Sequence, residues 1–486
     1  MHIHLKRTSQ STLTDQIVQA FEDRIRSGLL KPHTKMPSLR NLSKQLGVSL
    51  VTCSKAYERL ERKRLITRIH GKGCYVLVES TKKIEDNSDL NWQLTIVDYL
   101  PRAQMLKNFQ AGFQEADSSI RFPFHVSAIN EKLLPTYEIV REIKKTDQTA
   151  LSKYSPFQGD MDLRSEFVNY FKREGMNVAV DQVLTVSGSQ QGIDLVARTF
   201  IGAGDVVYVE APTYAGAIDI FLSRGAKIIT VPVNEEGLRL DLLTKLCDQH
   251  PPKLIYTVPT FQNPTGAVMS MPKRKHLLEI AEAYHTIILE DDTFSDMYFT
   301  EKPPKSIYSL DTAGHVIHSK TFSKVLAPSC RISALIAKGS FMNRLLAAKS
   351  ITDLGSPLLT QRAVLPYLKS NRMEKQLEEL RLNLKKRCEL VQTMLEKYAP
   401  PNISWTHPSG GLNIWVTLPK WVDTDELLKL AVRKKLAFLP GSVSYAGEAN
   451  YNELRICFAF LHDSLIEEGI MILCELISQY LESRPF

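Results

Sequence analysis

Apolar residues return every four positions from Leu13 through Ile17, Phe21 and Ile25. This spacing predicts an amphipathic helix, with Gly28 placed to stop it. Pro32 and Pro37 punctuate the connection to Leu39, Leu42 and Leu46, a short second helix with Ser38 as N-cap and Gly47 at its end. Ser49 caps a third helix. Its spacing puts Cys53, Ala56, Tyr57 and Leu60 on the inner face and leaves Thr52, Ser54, Lys55 and Arg59 nearer solvent. Leu65–Ile69 and Cys74–Val78 then flank His70-Gly71-Lys72-Gly73, a hairpin with a basic, glycine-bearing tip. Two short helices joined by a Gly-Val turn and followed by a wing predict a winged helix-turn-helix, mainly α with a β wing.

Residues 79–95 hold almost no apolar side chain and predict a linker, with order expected to resume near Trp92 to Leu106. Beyond about residue 120, short apolar runs alternate with helix-length segments. The runs at 183–186, 205–209, 254–258, 287–289 and 316–317 predict buried strands of an α/β domain with a largely parallel sheet. Ligands of such sheets sit at the carboxyl ends of the strands. The expected organisation is residues 1–79, a linker at 80–118, and a large domain at 119–486.

The net charge of +8 is uneven. Residues 1–83 carry 17 Lys and Arg against 6 Asp and Glu, leaving the rest near −3. A basic module on a near-neutral body implies a polyanion partner for the first part only. No segment approaches the roughly 20 apolar residues of a membrane span. Met1–Arg7 lacks the apolar core of a secretory signal, so the expected location is the cytoplasm. The seven cysteines form no C-x-x-C pair, which predicts reduced thiols and no metal site.

The unusual residues cluster after the predicted strands. Ser187-Gly188-Ser189-Gln190-Gln191-Gly192 opens a helix and suits an anion. Glu210-Ala211-Pro212-Thr213-Tyr214 could place a ring over a planar ligand. A turn explains the prolines and glycine of Pro259-Thr260-Phe261-Gln262-Asn263-Pro264-Thr265-Gly266, but not the whole octet. The acids Glu290-Asp291-Asp292 end an apolar strand, where they are costly unless paired or facing a cleft. Ser319-Lys320-Thr321-Phe322-Ser323-Lys324 runs on to Pro328 and Arg331.

Two resemblances follow. Lys35–Arg40, Leu46–Ser49, Ala56–Leu60 and Gly71–Gly73 resemble the winged helix of the GntR family of regulators. That resemblance implies contacts to double-stranded operator DNA from Ser38, Arg40, Ser49, Thr52 and Lys55, with Gly71, Lys72 and Gly73 near the minor groove. The order of motifs from Tyr154 to Arg455 resembles fold-type I aminotransferases that use pyridoxal 5'-phosphate. It implies a Schiff base on Lys324 and a phosphate held by Arg331 and Ser189 with Thr321 or Ser323. Gly188 and Gln190 would lend loop backbone. Asp291 would pair with the pyridine nitrogen, Asn263 with the 3-oxygen, and Tyr214 would stack on the ring. Tyr154 would reach the cofactor phosphate of a second subunit, and Arg455 an effector carboxylate. The fusion is the arrangement of the MocR-type regulators, implying a homodimer that senses the cofactor or its adduct with an amino acid or amine.

The chain departs from these patterns in four places. Leu50 stands where the GntR family often has Arg, leaving the base-reading set open. Thr293 and Phe294 follow the paired acids where relatives place a Tyr. The first strand region, Phe124–Ile129, lacks the usual glycine-proline pattern, and Lys320 replaces a common glycine. Cofactor capture is intact on this reading and the substrate side altered, so at most residual transamination is expected. The alternative is a working aminotransferase with an accessory DNA-binding domain.

Overall fold

The computed structural model describes residues 12–26, 30, 33–63, 65–69, 73–77, 120–146, 148 and 152–482. Gly28, Pro32, Gly71, Lys72 and the expected linker, including Trp92–Leu106, lie outside the described residues. The chain divides into two compact units, residues 1–100 and 101–486.

In the first unit α1 (Leu13–Arg26), α2 (Leu39–Leu46) and α3 (Leu50–Arg62) precede the antiparallel strands β1 (Ile66–Ile69) and β2 (Gly73–Val76). The Ser38 and Ser49 hydroxyls accept the amides of Asn41 and Thr52, satisfying donors a helix start leaves open. Gly47 ends α2 at φ 63°, a left-handed conformation that favours glycine. Cys53, Ala56, Tyr57 and Leu60 are buried as the spacing predicts. The Tyr57 ring meets Phe21 edge-on at 5.8 Å, and its hydroxyl donates to the Pro37 carbonyl at 2.8 Å.

The second unit begins with β3 (Phe122–Pro123), α4 (Thr136–Lys145) and α5 (Met161–Arg173). Its large sheet comprises β4 (Val183–Val186), β5 (Val206–Ala211), β6 (Lys227–Asn234), β7 (Gly237–Leu238), β8 (Leu254–Thr257), β9 (Ile287–Asp292), β10 (Val316–Thr321) and β11 (Ser333–Ile336). Their order is β4-β11-β10-β9-β8-β5-β6-β7, with β6, β5, β8, β9 and β10 mutually parallel and only the β11 and β7 pairings antiparallel. Between them run α6 (Ser189–Phe200), α7 (Ala215–Ser223), α8 (Leu240–Gln249) and α9 (Met271–Ala283). Apolar side chains cover both faces: Val207, Leu254, Leu289 and Ile317 belong to one core, Tyr208, Ile255, Ile288 and Val316 to another. Burial on both sides is why these strands read as continuous apolar runs.

The chain continues through α10 (Gly339–Thr352), α11 (Leu358–Leu368) and α12 (Arg372–Tyr398). A smaller sheet pairs β12 (Ser404–Trp405), β13 (Asn413–Thr417), β16 (Glu453–Cys457) and β15 (Leu439–Pro440). Around it lie α13 (Thr424–Arg433), β14 (Leu436–Ala437) and α14 (Asp463–Glu482). Among the described residues no helix is long and apolar enough to cross a membrane.

Two expectations need correction. Strands 287–289 and 316–317 extend to Asp292 and Thr321, because their polar ends pair in register: His318 with Glu290, Ser319 with Asp291, Lys320 with Asp292. The expected first strand at Phe124–Ile129 is only Phe122–Pro123. Beyond it the backbone bonds to the smaller sheet and its neighbours: His125 N–H donates to Ala437, Asn130 N–H to Ala459, and the Phe124 carbonyl accepts from Cys457.

Candidate functional site

The parallel strands deliver their unusual residues to one cavity of about 350 Å³. Ser189, Gln190, Tyr214, Asn263, Asp291, Thr321, Ser323, Lys324, Arg331 and Arg455 all line it. Gly188 and Tyr154 do not. Gly188 instead supports Arg331: it sits at φ 87°, and a Cβ there would overlap the guanidinium. Arg331 itself adopts φ 49° and donates to the Ser187 carbonyl at 3.2 Å. The start of α6, which has no side-chain cap, and this cation make one end of the cavity suited to a multivalent anion.

Asp291 marks the other end. It is 3% exposed, accepts from the Tyr256 hydroxyl at 2.8 Å and from Thr293 at 3.0 Å, and has no cation within ion-pair distance among the described residues. Burial pushes its carboxyl up to about 6, against the pull of those two hydrogen bonds. A buried carboxylate of this kind suits a protonated ring nitrogen.

Lys324 lies between the two ends. Its Nζ donates to the Ser127 carbonyl at 2.5 Å. Burial, and then the cationic Arg455 and Arg331, hold its ammonium below the usual lysine range, favouring the nucleophilic free amine. Two positions before the lysine, Phe322 is fully buried, stacked on Phe167 at 4.8 Å and edge-on to Tyr170 at 5.0 Å. Burying a phenylalanine side chain contributes about 2–3 kcal/mol.

The octet after β8 is explained by hydrogen bonding. Buried Glu210 accepts from Thr257 at 2.6 Å, the Val258 amide and Gln262 at 2.9 Å; Gln262 also accepts from Thr265. Burial pushes Glu210 up to about 7. The network presents Asn263, whose Oδ1 accepts from Arg455 Nη1 at 3.3 Å, leaving the amide nitrogen for the cavity. Arg455 also donates to the His125 carbonyl at 2.6 Å, while its buried Nε finds no hydrogen-bond partner among the described residues. Burial lowers its guanidinium to about 10. The orphaned Nε and the equally unpartnered Thr213 hydroxyl, which lines the same wall, are donors in want of a ligand. Together these groups fit the phosphorylated pyridine aldehyde that the sequence resemblance implies.

Reasoning from sequence missed Tyr256, Thr293, Ser127 and Thr213. The Tyr256 hydroxyl reaches Asp291 from β8. The segment Gly159–Arg164 is structural: Asp160 caps α5, and Arg164 donates to the Gly159 and Val180 carbonyls. Tyr154 is 82% exposed, on the surface of the second unit.

In the first unit Ser38, Arg40, Ser49, Lys55 and Gly73 are exposed, and Thr52 is half-buried. Ser49 and Thr52 also bond to each other at 2.8 Å. Leu50 and Val51 project into solvent at the start of α3, apolar side chains able to meet thymine methyl groups.

The profile of the family "Aminotransferase class I and II" matches residues 128–473, and that of "Bacterial regulatory proteins, gntR family" matches residues 13–76. The chain is 34% identical to aromatic-amino-acid aminotransferase 1 of Thermococcus litoralis over 71% of its own length and 84% of the relative's. It is 28% identical to an uncharacterized HTH-type transcriptional regulator, YisV, of Bacillus subtilis over 96% of both chains. Among solved structures it resembles the kynurenine aminotransferase of Pyrococcus horikoshii in complex with PMP, with a TM-score of 0.73 and 33% identity, covering 77% of this chain and 95% of that one. The chain belongs to the class I and II aminotransferase family and carries ahead of that domain a helix-turn-helix domain of the gntR family.

Proposed function

We propose that the protein is a sequence-specific transcription regulator of the MocR type, acting as a cytoplasmic homodimer, whose aminotransferase-like domain binds pyridoxal 5'-phosphate and responds to an amino-acid or amine effector. The observation that carries this reading is the end-to-end likeness to a helix-turn-helix regulator, combined with a cavity in the same chain lined by Lys324, Asp291, Asn263 and Arg331. When bound, the cofactor supplies an aldehyde that condenses with amines and a ring that accepts electrons.

The chain's own residues divide the remaining work. Arg331, Ser189 and the start of α6 hold the phosphate, with Thr321 or Ser323. Asp291 keeps a proton on the ring nitrogen, Asn263 donates to the 3-oxygen, and Tyr214 covers the ring. Lys324 offers its free amine, and Arg455 recognises an effector carboxylate. Homodimer formation is supported by exposed apolar side chains on the second unit, among them Tyr137, Val140, Tyr154, Ile351 and Leu354. On the DNA side Arg40 and Lys55 contact phosphates or bases, and the N-terminal end of α3 reads the major groove.

The test is DNA affinity, measured by fluorescence anisotropy on fragments from the intergenic regions flanking the gene. An effector changes that affinity only by binding two states differently. Wild type should shift on addition of cofactor plus amino acids, and Lys324→Ala should not; an unchanged wild-type affinity overturns the reading. The intact Lys324, Asp291 and Arg455 favour a second reading, a working aminotransferase. Sustained keto-acid production near 1 s⁻¹, roughly the rate of ordinary enzymes, would establish it.

A further inference from the structure

At the start of α3, Leu50 stands where the GntR family often has Arg, and Val51 follows it. These first two residues of the helix are 49% and 63% exposed. Neither belongs to the core of the first unit, whose α3 face is Cys53, Ala56, Tyr57 and Leu60. In a helix-turn-helix the N-terminal residues of the second helix meet the base edges, so an apolar pair stands where sequence is read.

The polar groups around the pair are mostly committed within the helix. The Ser49 hydroxyl accepts the Thr52 amide at 3.1 Å and bonds to the Thr52 hydroxyl at 2.8 Å. One turn on, the Ser54 hydroxyl donates to Glu58 at 3.0 Å. Lys55 is the one charged residue in the first two turns of α3. With the exposed Arg40 and Lys44 of α2 it supplies attraction for phosphates, which positions a protein on DNA without selecting a base.

In the major groove thymine is marked by its C5 methyl group, the one apolar feature of any base edge there. An arginine at position 50 would favour guanine through O6 and N7. Leucine and valine cannot make those bonds: against them a guanine would bury two acceptors, and a cytosine its amino group, without a partner. Given the DNA-binding reading of the first unit, on which this rests, we propose that Leu50 and Val51 are specificity-determining residues. They select thymine at neighbouring base pairs of the operator by covering its methyl group.

The experiment replaces thymine by deoxyuridine, which removes that methyl and keeps every hydrogen-bonding group of the base. Full-length protein first selects its preferred sites from a random duplex library. Each thymine of the consensus is then changed in turn, and binding is read by fluorescence anisotropy. At neighbouring positions deoxyuridine should weaken wild-type binding about fourfold each, the contribution of one buried methyl group. The double variant Leu50→Ala, Val51→Ala should bind the thymine and deoxyuridine duplexes with equal affinity. A methyl effect transmitted through DNA shape would persist in that variant, so its disappearance ties the effect to these two side chains. Leu50→Arg should move the preference at one of the positions from thymine to guanine by about tenfold or more. Unchanged wild-type affinity on deoxyuridine, or an equal loss in the double variant, would overturn the proposal while leaving sequence-specific binding in place. A double variant with unaltered DNA affinity and altered sedimentation would assign the pair to a protein contact, overturning it too. A library that yields no consensus would overturn sequence-specific binding itself, and this assignment with it.

Discussion

Burial holds the Asp291 carboxyl at about 6, against an ordinary 3.8. The folded protein therefore binds a proton more tightly there than the unfolded chain, and stability from this group falls as pH rises from about 4 through 6. Above that window the cofactor-free protein carries the full cost, about 2–3 kcal/mol. Asp291→Asn should raise the urea midpoint of cofactor-free protein at pH 7.5 and leave it little changed at pH 4, while abolishing cofactor capture. An unchanged midpoint at pH 7.5 would mean that Tyr256 and Thr293 already offset the burial. The identities of Lys324, Asp291, Asn263 and Arg331 were legible because each stands in an ordered run after an apolar strand. Tyr256 was not. It precedes Asp291 by 35 positions and is an ordinary strand tyrosine by composition, so only the β8–β9 pairing shows where its hydroxyl goes.

The helices of the first unit were readable almost to the residue, because caps and 3.6-residue spacing are local signals. Stability and DNA contact can therefore be separated on α3. Ser49→Ala removes an N-cap and should cost about 1 kcal/mol in the thermal unfolding of the first unit. Lys55→Ala, exposed and outside the core, should leave unfolding unchanged but weaken DNA binding and reduce the salt slope of log K by about 1. Equal salt slopes for wild type and Lys55→Ala would remove Lys55 from the phosphate contacts. The large sheet was legible wherever strands were apolar and illegible where they ended in paired ions. Apolar periodicity carries no signal from a buried His318–Glu290 or Lys320–Asp292 pair.

At the scale of the molecule, the exposed apolar side chains of the second unit have a measurable meaning. Ile351 is 88% exposed and Leu354 62%, well beyond what a surface helix end requires. Ile351→Glu with Leu354→Glu should shift the sedimentation coefficient from dimer to monomer. Operator affinity should fall with it, because paired half-sites are read by paired helices. A double variant that still sediments as wild type would place the subunit contact elsewhere.

The ion pairs at the ends of β9 and β10 also restrict how the sequence can drift. Lys320 neutralises both Asp292 and Asp296; Lys320 and Asp296 are buried and Asp292 is half-buried. Changing Lys320 alone strands two carboxylates, a cost of roughly 3–5 kcal/mol. Replacing all three by apolar and amide side chains avoids it. In a randomised library, survivors at position 320 should therefore carry second changes at 292 or 296, so the three codons would be inherited as one epistatic unit.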